Sequence, residues 1–120
     1  MLLSIIFTSL IIAPFIEWAI HYELHLYKNE KHKNHHIKYY NNSTTVELYP
    51  VIILPILYYT EFYLICIGIL QYWIVHSLIH FAPQFLPNII VNHHIKHHNN
   101  PNICFAICNP YIDTLCGTNF

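Results

Sequence analysis

The chain has 120 residues, of which 55% are apolar, only 9% are charged and 11 are histidines. A soluble domain usually carries about a quarter of its residues as charges, so this composition argues against a freely soluble globule and equally against a disordered chain. With a formal charge of -1 and 5 lysines as its whole cationic set, the chain cannot neutralise a run of phosphates, which excludes nucleic acid as an expected partner.

The first apolar stretch runs from Leu2 to Ile20 and is broken only by hydroxyls and Glu17. About 20 residues rising about 1.5 Å each match the ~30 Å hydrocarbon of a bilayer, so residues 1–20 are expected to form an N-terminal transmembrane helix, bent at Pro14. No lysine precedes the run and Glu17-Trp18 sits where a signal peptide would be cut, so it reads as an uncleaved anchor.

The second apolar block, Val46 to Val75, is interrupted by Pro50, Pro55 and the patch Tyr58-Tyr59-Thr60-Glu61. As one helix it would reach roughly 45 Å, and two full crossings would need roughly 60 Å. Length leaves the choice open. If the histidines on either side of this block form one site, residues 46–75 must enter and return as a short hairpin that turns near Thr60-Glu61. Lys28, Lys31, Lys33, Lys38 and Lys96 all lie beside histidines, which by the positive-inside tendency sets the histidine-rich face in the cytosol; a codon bias toward Lys, Asn, Ile and Tyr is the bland alternative. Disulfides are not expected among Cys66, Cys104, Cys108 and Cys116 in a membrane or reducing compartment, and Cys104, Cys108 and Cys116 fit no common zinc spacing.

Four short groups contain every histidine: His21 and His25; His32, His35 and His36; His76 and His80; and His93, His94, His97 and His98. On a helix, positions i, i+3 and i+4 share a face, so His-x-x-x-His presents two imidazoles one turn apart and His-x-x-His-His presents three. Neutral imidazole is a good ligand for iron, zinc or copper. One such pair would carry little weight, since a surface helix or a satisfied core residue produces it. An ordered 2+3+2+3 series is different, because a membrane chain pays heavily for unpartnered polar rings. Ten candidate ligands suffice for two metals with about five nitrogens each, leaving His93 facing solvent or supporting a ligand. Glu17, four residues before His21, is placed to hold that ring's second nitrogen on a continuous helix, or else merely marks the membrane interface. Glu23 and Glu30 are equally compatible with solvated side chains, and Asp113 and Thr118 with tethering a C-terminal turn.

These groups resemble the histidine boxes of the fatty acid hydroxylase superfamily, the integral-membrane group that includes sterol desaturases. Glu17-Trp18-Ala19-Ile20-His21 is similar to its Glu-aromatic-x-x-His opening; His25 and then His32-x-x-His35-His36 resemble its linked first and second boxes; His76-x-x-x-His80 and His94-x-x-His97-His98 resemble the third and fourth. The tail, with Tyr111-Ile112-Asp113 leading to Gly117-Thr118, resembles the family's aromatic-x-Asp ending before Gly-Thr. The resemblance covers residues 15–120. It departs at Tyr22, where an Arg is common, in the short loop after the second box, and in the single helix before the core.

The resemblance implies an all-α fold, a membrane helical bundle capped on its cytosolic side by the histidines, in an endoplasmic reticulum-type membrane. It implies two iron ions, for which zinc substitutes in purified protein, held by His21, His25, His32, His35, His36, His76, His80, His94, His97 and His98. The implied reaction is O2-dependent hydroxylation of a fatty acyl or related lipid, with electrons from a membrane cytochrome and its reductase; Gly68 and Gly117 alone cannot build a dinucleotide fingerprint. Desaturation by the same centre, a non-catalytic metal-binding membrane protein and a His-based pH sensor are the competing expectations.

Overall fold

The computed structural model describes residues 2–37, 52, 54–59 and 62–120. Lys38, Pro50 and the expected turn at Thr60-Glu61 fall outside them. The described residues form an all-α fold of six helices: α1 (Leu2–Leu26), α2 (Glu30–Ile37), α3 (Leu54–Tyr59), α4 (Tyr63–Phe81), α5 (Asn88–Asn99) and α6 (Tyr111–Cys116).

Helix α1 runs six residues past the expected boundary, carrying His21 and His25 on its last turns. It accommodates Pro14 by widening into a π-helical turn over Thr8–Ile12, where the Ala13 N–H reaches back to the Thr8 carbonyl. Pro14 has no N–H for the Leu10 carbonyl. The freed oxygens are met from elsewhere in the chain: Gln71 Nε2 donates to Ser9 O and Asn109 Nδ2 to Leu10 O, each at 2.8 Å. These two bonds tie α1 to α4 and to the C-terminal segment.

Lys28 turns the chain with φ 50°, and the next residue, Asn29, caps α2 by accepting the His32 N–H on its side-chain oxygen at 3.1 Å. The short link sets α2 directly against the end of α1. Helix α3 packs on the start of α4, with the Tyr58 and Tyr63 rings 5.6 Å apart and Cys66 Sγ donating to Leu54 O at 3.8 Å. Pro83 and Pro87 bracket the short passage from α4 to α5. Helix α6 stops at Gly117, whose φ of 71° allows the Thr118 N–H to return to the Asp113 carbonyl at 2.9 Å.

Helices α1 and α4 are both long and apolar enough to cross a membrane, and only 17% and 11% of their most apolar windows is buried within the chain. Leu3, Phe7, Leu10, Phe15 and Ile20 on α1 and Tyr63, Ile65 and Ile74 on α4 are exposed. The interior is the reverse. Besides Pro14, Ile79, Ile112 and the run Cys104–Ile107, the buried residues among those described are Thr8, Glu17, Asp113 and six histidines. Polar groups therefore fill the centre while apolar ones face outward.

Gly68 lets α4 approach α1 closely, since a Cβ placed there would lie 2.9 Å from Ala13 Cβ. Gly68→Val should force the two helices apart and cost about 1–3 kcal/mol, read as a lower thermal midpoint of the detergent-solubilised chain; an unchanged midpoint would mean that the contact is slack.

Candidate metal centre

Both apolar helices end in the same place. His21 and His25 from the end of α1 and His76 and His80 from the end of α4 meet the histidines of α2 and α5, forming two groups of five whose ligand atoms lie within 4.8 Å of one another. The first holds His21, His25, His32, His36 and His97; the second holds His35, His76, His80, His94 and His98. All ten expected histidines are brought together.

The division follows from helical geometry. Neighbouring residues on a helix point about 100° apart, so each His-His doublet straddles the two groups. On α2, His32 and His36, one turn apart, face the pair from α1, while His35 crosses to the other group. On α5, His94 and His98 face the pair from α4, while His97 crosses in the opposite direction. Each group thus takes two i, i+4 pairs from its own pair of helices and one ring from the other. The rings pack at the seam, with His36 and His98 centroids 4.5 Å apart.

The nitrogen spacing is what a metal requires. In the first group, Nε2 of His32 lies 2.8 Å from that of His25 and 3.0 Å from that of His21, and His25 to His97, His36 to His25 and His36 to His32 are each 3.1 Å. In the second, His76–His94, His80–His76, His94–His80 and His98–His94 span 3.0 to 3.2 Å. Nitrogens at right angles round one ion, each about 2.1 Å from it, would be about 3.0 Å apart.

Two protonation states are fixed by chemistry. His21 Nδ1 lies 2.6 Å from the Phe105 carbonyl and His97 Nδ1 2.6 Å from the Ile103 carbonyl. A carbonyl only accepts, so these nitrogens carry the proton and donate. Nε2 of each neutral ring is then a bare lone pair turned toward other imidazole nitrogens, an arrangement that a cation stabilises. Among the described residues His35 Nε2 is buried with no hydrogen-bond partner, while its ring packs 4.7 Å from that of His80. A buried polar atom left unpaired costs about 1–3 kcal/mol, and an ion bound by its lone pair would relieve that cost. The residues present fit a metal.

Electrostatics favour the neutral, ligating form. Burial, reinforced by the neighbouring His25, His35 and His97 rings, holds His32 down at about 3. Burial and then His80 and His97 hold His35 at about 4. His97 is also held at about 4, burial outweighing the upward pull of its bond to Ile103. The cysteines stand apart: both groups contain histidine alone, and burial together with the Glu17 carboxylate pushes the Cys108 thiol far up, against the thiolate a zinc site needs.

Two site residues behave differently from a reading of local spacing. Glu17 does not hold His21. Its carboxylate accepts the N–H of Ile107 and, at 3.2 and 3.3 Å, that of Cys108, because residues 103–108 come between the helices and present their amides to it. His93 belongs to neither group and donates from Nε2 to Asp113 Oδ2 at 2.8 Å. Sequence spacing gave no sign of the Phe105 and Ile103 carbonyls as ring partners, since any residue type supplies a carbonyl.

Two cavities adjoin the first group. An apolar groove of about 330 Å³ between α1 and α4 is lined on α1 by residues from Thr8 to Leu24, Ile16 and His21 among them, and on α4 by residues that include Gly68 and Tyr72. A second cavity, of about 370 Å³, exposes His25, His32 and His36 and is edged by Lys28, Glu30 and Lys33; Leu24 borders both. No family model, curated protein or solved structure matches the chain, so its two histidine groups, each able to hold a metal ion, are read from their own geometry.

Proposed function

We propose that the chain is a membrane-bound di-iron oxidoreductase that uses O2 to hydroxylate a C–H bond of a fatty acyl or related lipid. The observation that carries this reading is the apolar groove that His21 of the first group helps to line. It follows α1 for ~24 Å, so an acyl chain lying between α1 and α4 brings one carbon to the edge of the first histidine group. The order of the boxes and the tail, which resemble those of fatty acid hydroxylases, point the same way.

When bound, a pair of irons supplies O2 activation and the oxidising power to break an unactivated C–H bond. The chain's own residues do the rest. The outward apolar faces of α1 and α4 sit in lipid, in an endoplasmic reticulum-type membrane, with the histidines and Lys28, Lys33 and Lys96 on the cytosolic side. Ile16, Gly68 and Tyr72 guide the chain and exclude water, and the ten rings stay neutral as ligands. Converting C–H to C–OH with one O2 releases water and takes two electrons and two protons. A membrane cytochrome and its reductase supply the electrons, approaching over the second cavity, which His25, His32 and His36 line.

The test is the lipid profile of cells expressing the chain with a matched electron donor, alongside metal analysis of the purified protein. One added oxygen supports hydroxylation, and loss of two hydrogens assigns the same centre to desaturation. Two irons without an oxidised lipid would make the chain a non-catalytic metal-binding protein. Zinc in place of iron is expected on overexpression. Ile16→Trp, which fills the groove, should cut product at least about tenfold, roughly the loss of 1.4 kcal/mol of substrate binding, with two ions still bound; unaltered product would place the lipid elsewhere.

A further inference from the structure

Residues 103–108 pass beside the first histidine group, and each of their backbone N–H groups is spoken for. The Cys104 N–H, at φ 60°, donates to Thr118 O at 2.8 Å. The Phe105 and Ala106 amides donate to Asp113 Oδ1 and Oδ2 at 2.9 and 2.7 Å. The Ile107 and Cys108 amides donate to Glu17. Between these anchors, the Ile103 and Phe105 carbonyls face the other way and accept from His97 and His21. Both rings belong to the first metal group.

Asp113 is wholly buried and is further held by Trp18 Nε1 at 3.2 Å, the Thr118 hydroxyl at 2.5 Å and His93 Nε2 at 2.8 Å. Five donors on one carboxylate exceed what a turn of six residues needs. They join α1, α5, α6 and the 103–108 segment at a single point.

We propose that Asp113, and to a lesser degree Glu17, are positioning residues for the first metal ion: they clamp residues 103–108 so that two backbone carbonyls fix His21 and His97 as Nδ1–H tautomers with Nε2 aimed at the ion. Asp113 acts directly on Phe105, the residue that holds His21, whereas Glu17 grips the segment two residues further on. Partners of this kind orient a ligand ring and raise its basicity, and losing one costs about 10–100-fold in metal affinity. The inference rests on the metal centre proposed above.

The experiment loads the full-length, detergent-solubilised chain with Co(II), whose visible spectrum reports ligand geometry, and follows release to a chelator. Asp113→Asn keeps the side chain's size but turns an amide donor toward the Ala106 N–H and His93. One of its two ions should then leave about 10–100-fold faster with an altered spectrum, while the other is released as in the wild type. Glu17→Gln should show a smaller change in the same ion. Both ions weakening equally, or neither weakening, would overturn the positioning role. Histidine 15N NMR of the metal-free wild type tests the same point where a variant fails to fold: His21 and His97 should be Nδ1–H tautomers, and Nε2–H at either would overturn the proposal. A wild-type chain that takes up no Co(II) overturns instead the metal centre on which the inference rests.

Discussion

Replacing His97 with alanine should empty the metal group built mainly by α1 and α2, although His97 lies on α5, and leave its helical neighbours His94 and His98 holding the other ion. Metal analysis should fall from two ions per chain to one, and oxidised lipid should fall at least about a hundredfold, since removing a ligand costs no less than removing the partner that orients it. His35→Ala should do the reverse, sparing the α1 side. The two variants together test the crossing of one ring from each doublet, which no simple pairing of helices predicts. Loss of both ions in either variant, or of neither, would show that the rings do not divide as their nitrogen spacings indicate.

The second large effect is acid lability of the metal-free chain. His32 titrates at about 3 and His35 and His97 at about 4 in the folded chain, against about 6.5 when unfolded. Between these values the unfolded chain binds protons that the folded chain refuses, so stability rises with pH. It is fully present above about 6.5 and falls as the pH drops toward 4. Each ring contributes up to about 1.4 kcal/mol per pH unit in that window, so three together remove about 4 kcal/mol per unit. For a chain in the lower part of the typical 5–15 kcal/mol range, helix content should collapse within one to three pH units below 6.5. Bound metal competes with the protons and should move the collapse to lower pH. Circular dichroism against pH, with and without metal, measures both. Helicity of the metal-free chain that persists unchanged to pH 4 would contradict the burial of these rings.

The parts of the fold that sequence pattern made legible are those with a local cause. The apolar run after Leu2 and the i, i+4 spacing of the histidines are properties of one helix at a time, and the Thr118 tie to Asp113 is equally local, whereas the other four donors on Asp113 are not. The length of α1 was underestimated because its last turns carry His21 and His25, which end an apolar run without ending a helix. Glu17 was misplaced for the opposite reason. Its spacing to His21 is right for a contact along the helix, but amides 90 residues away in sequence compete for its side-chain oxygens. The Ile103 and Phe105 carbonyls carry no side-chain signal at all. Only the three-dimensional path of Asn102–Asn109 shows that a short apolar stretch is the frame on which two ligands hang.

The wide turn before Pro14 has a consequence for how the molecule is made. In a bilayer, α1 would enter first as the chain is synthesised, with the Ser9 and Leu10 oxygens deprived of their usual helical donors. Their partners, Gln71 and Asn109, are added only after another 62 and 99 residues respectively. An unmet carbonyl in hydrocarbon is costly, so the nascent α1 is held in an incomplete state that later segments relieve in order, first α4 and then the C-terminal strap. Closure by Asn109 coincides with the arrival of the segment that orients His21 and His97. A chain truncated before Asn109 would therefore lack both the second closure of α1 and the segment's clamp on Asp113.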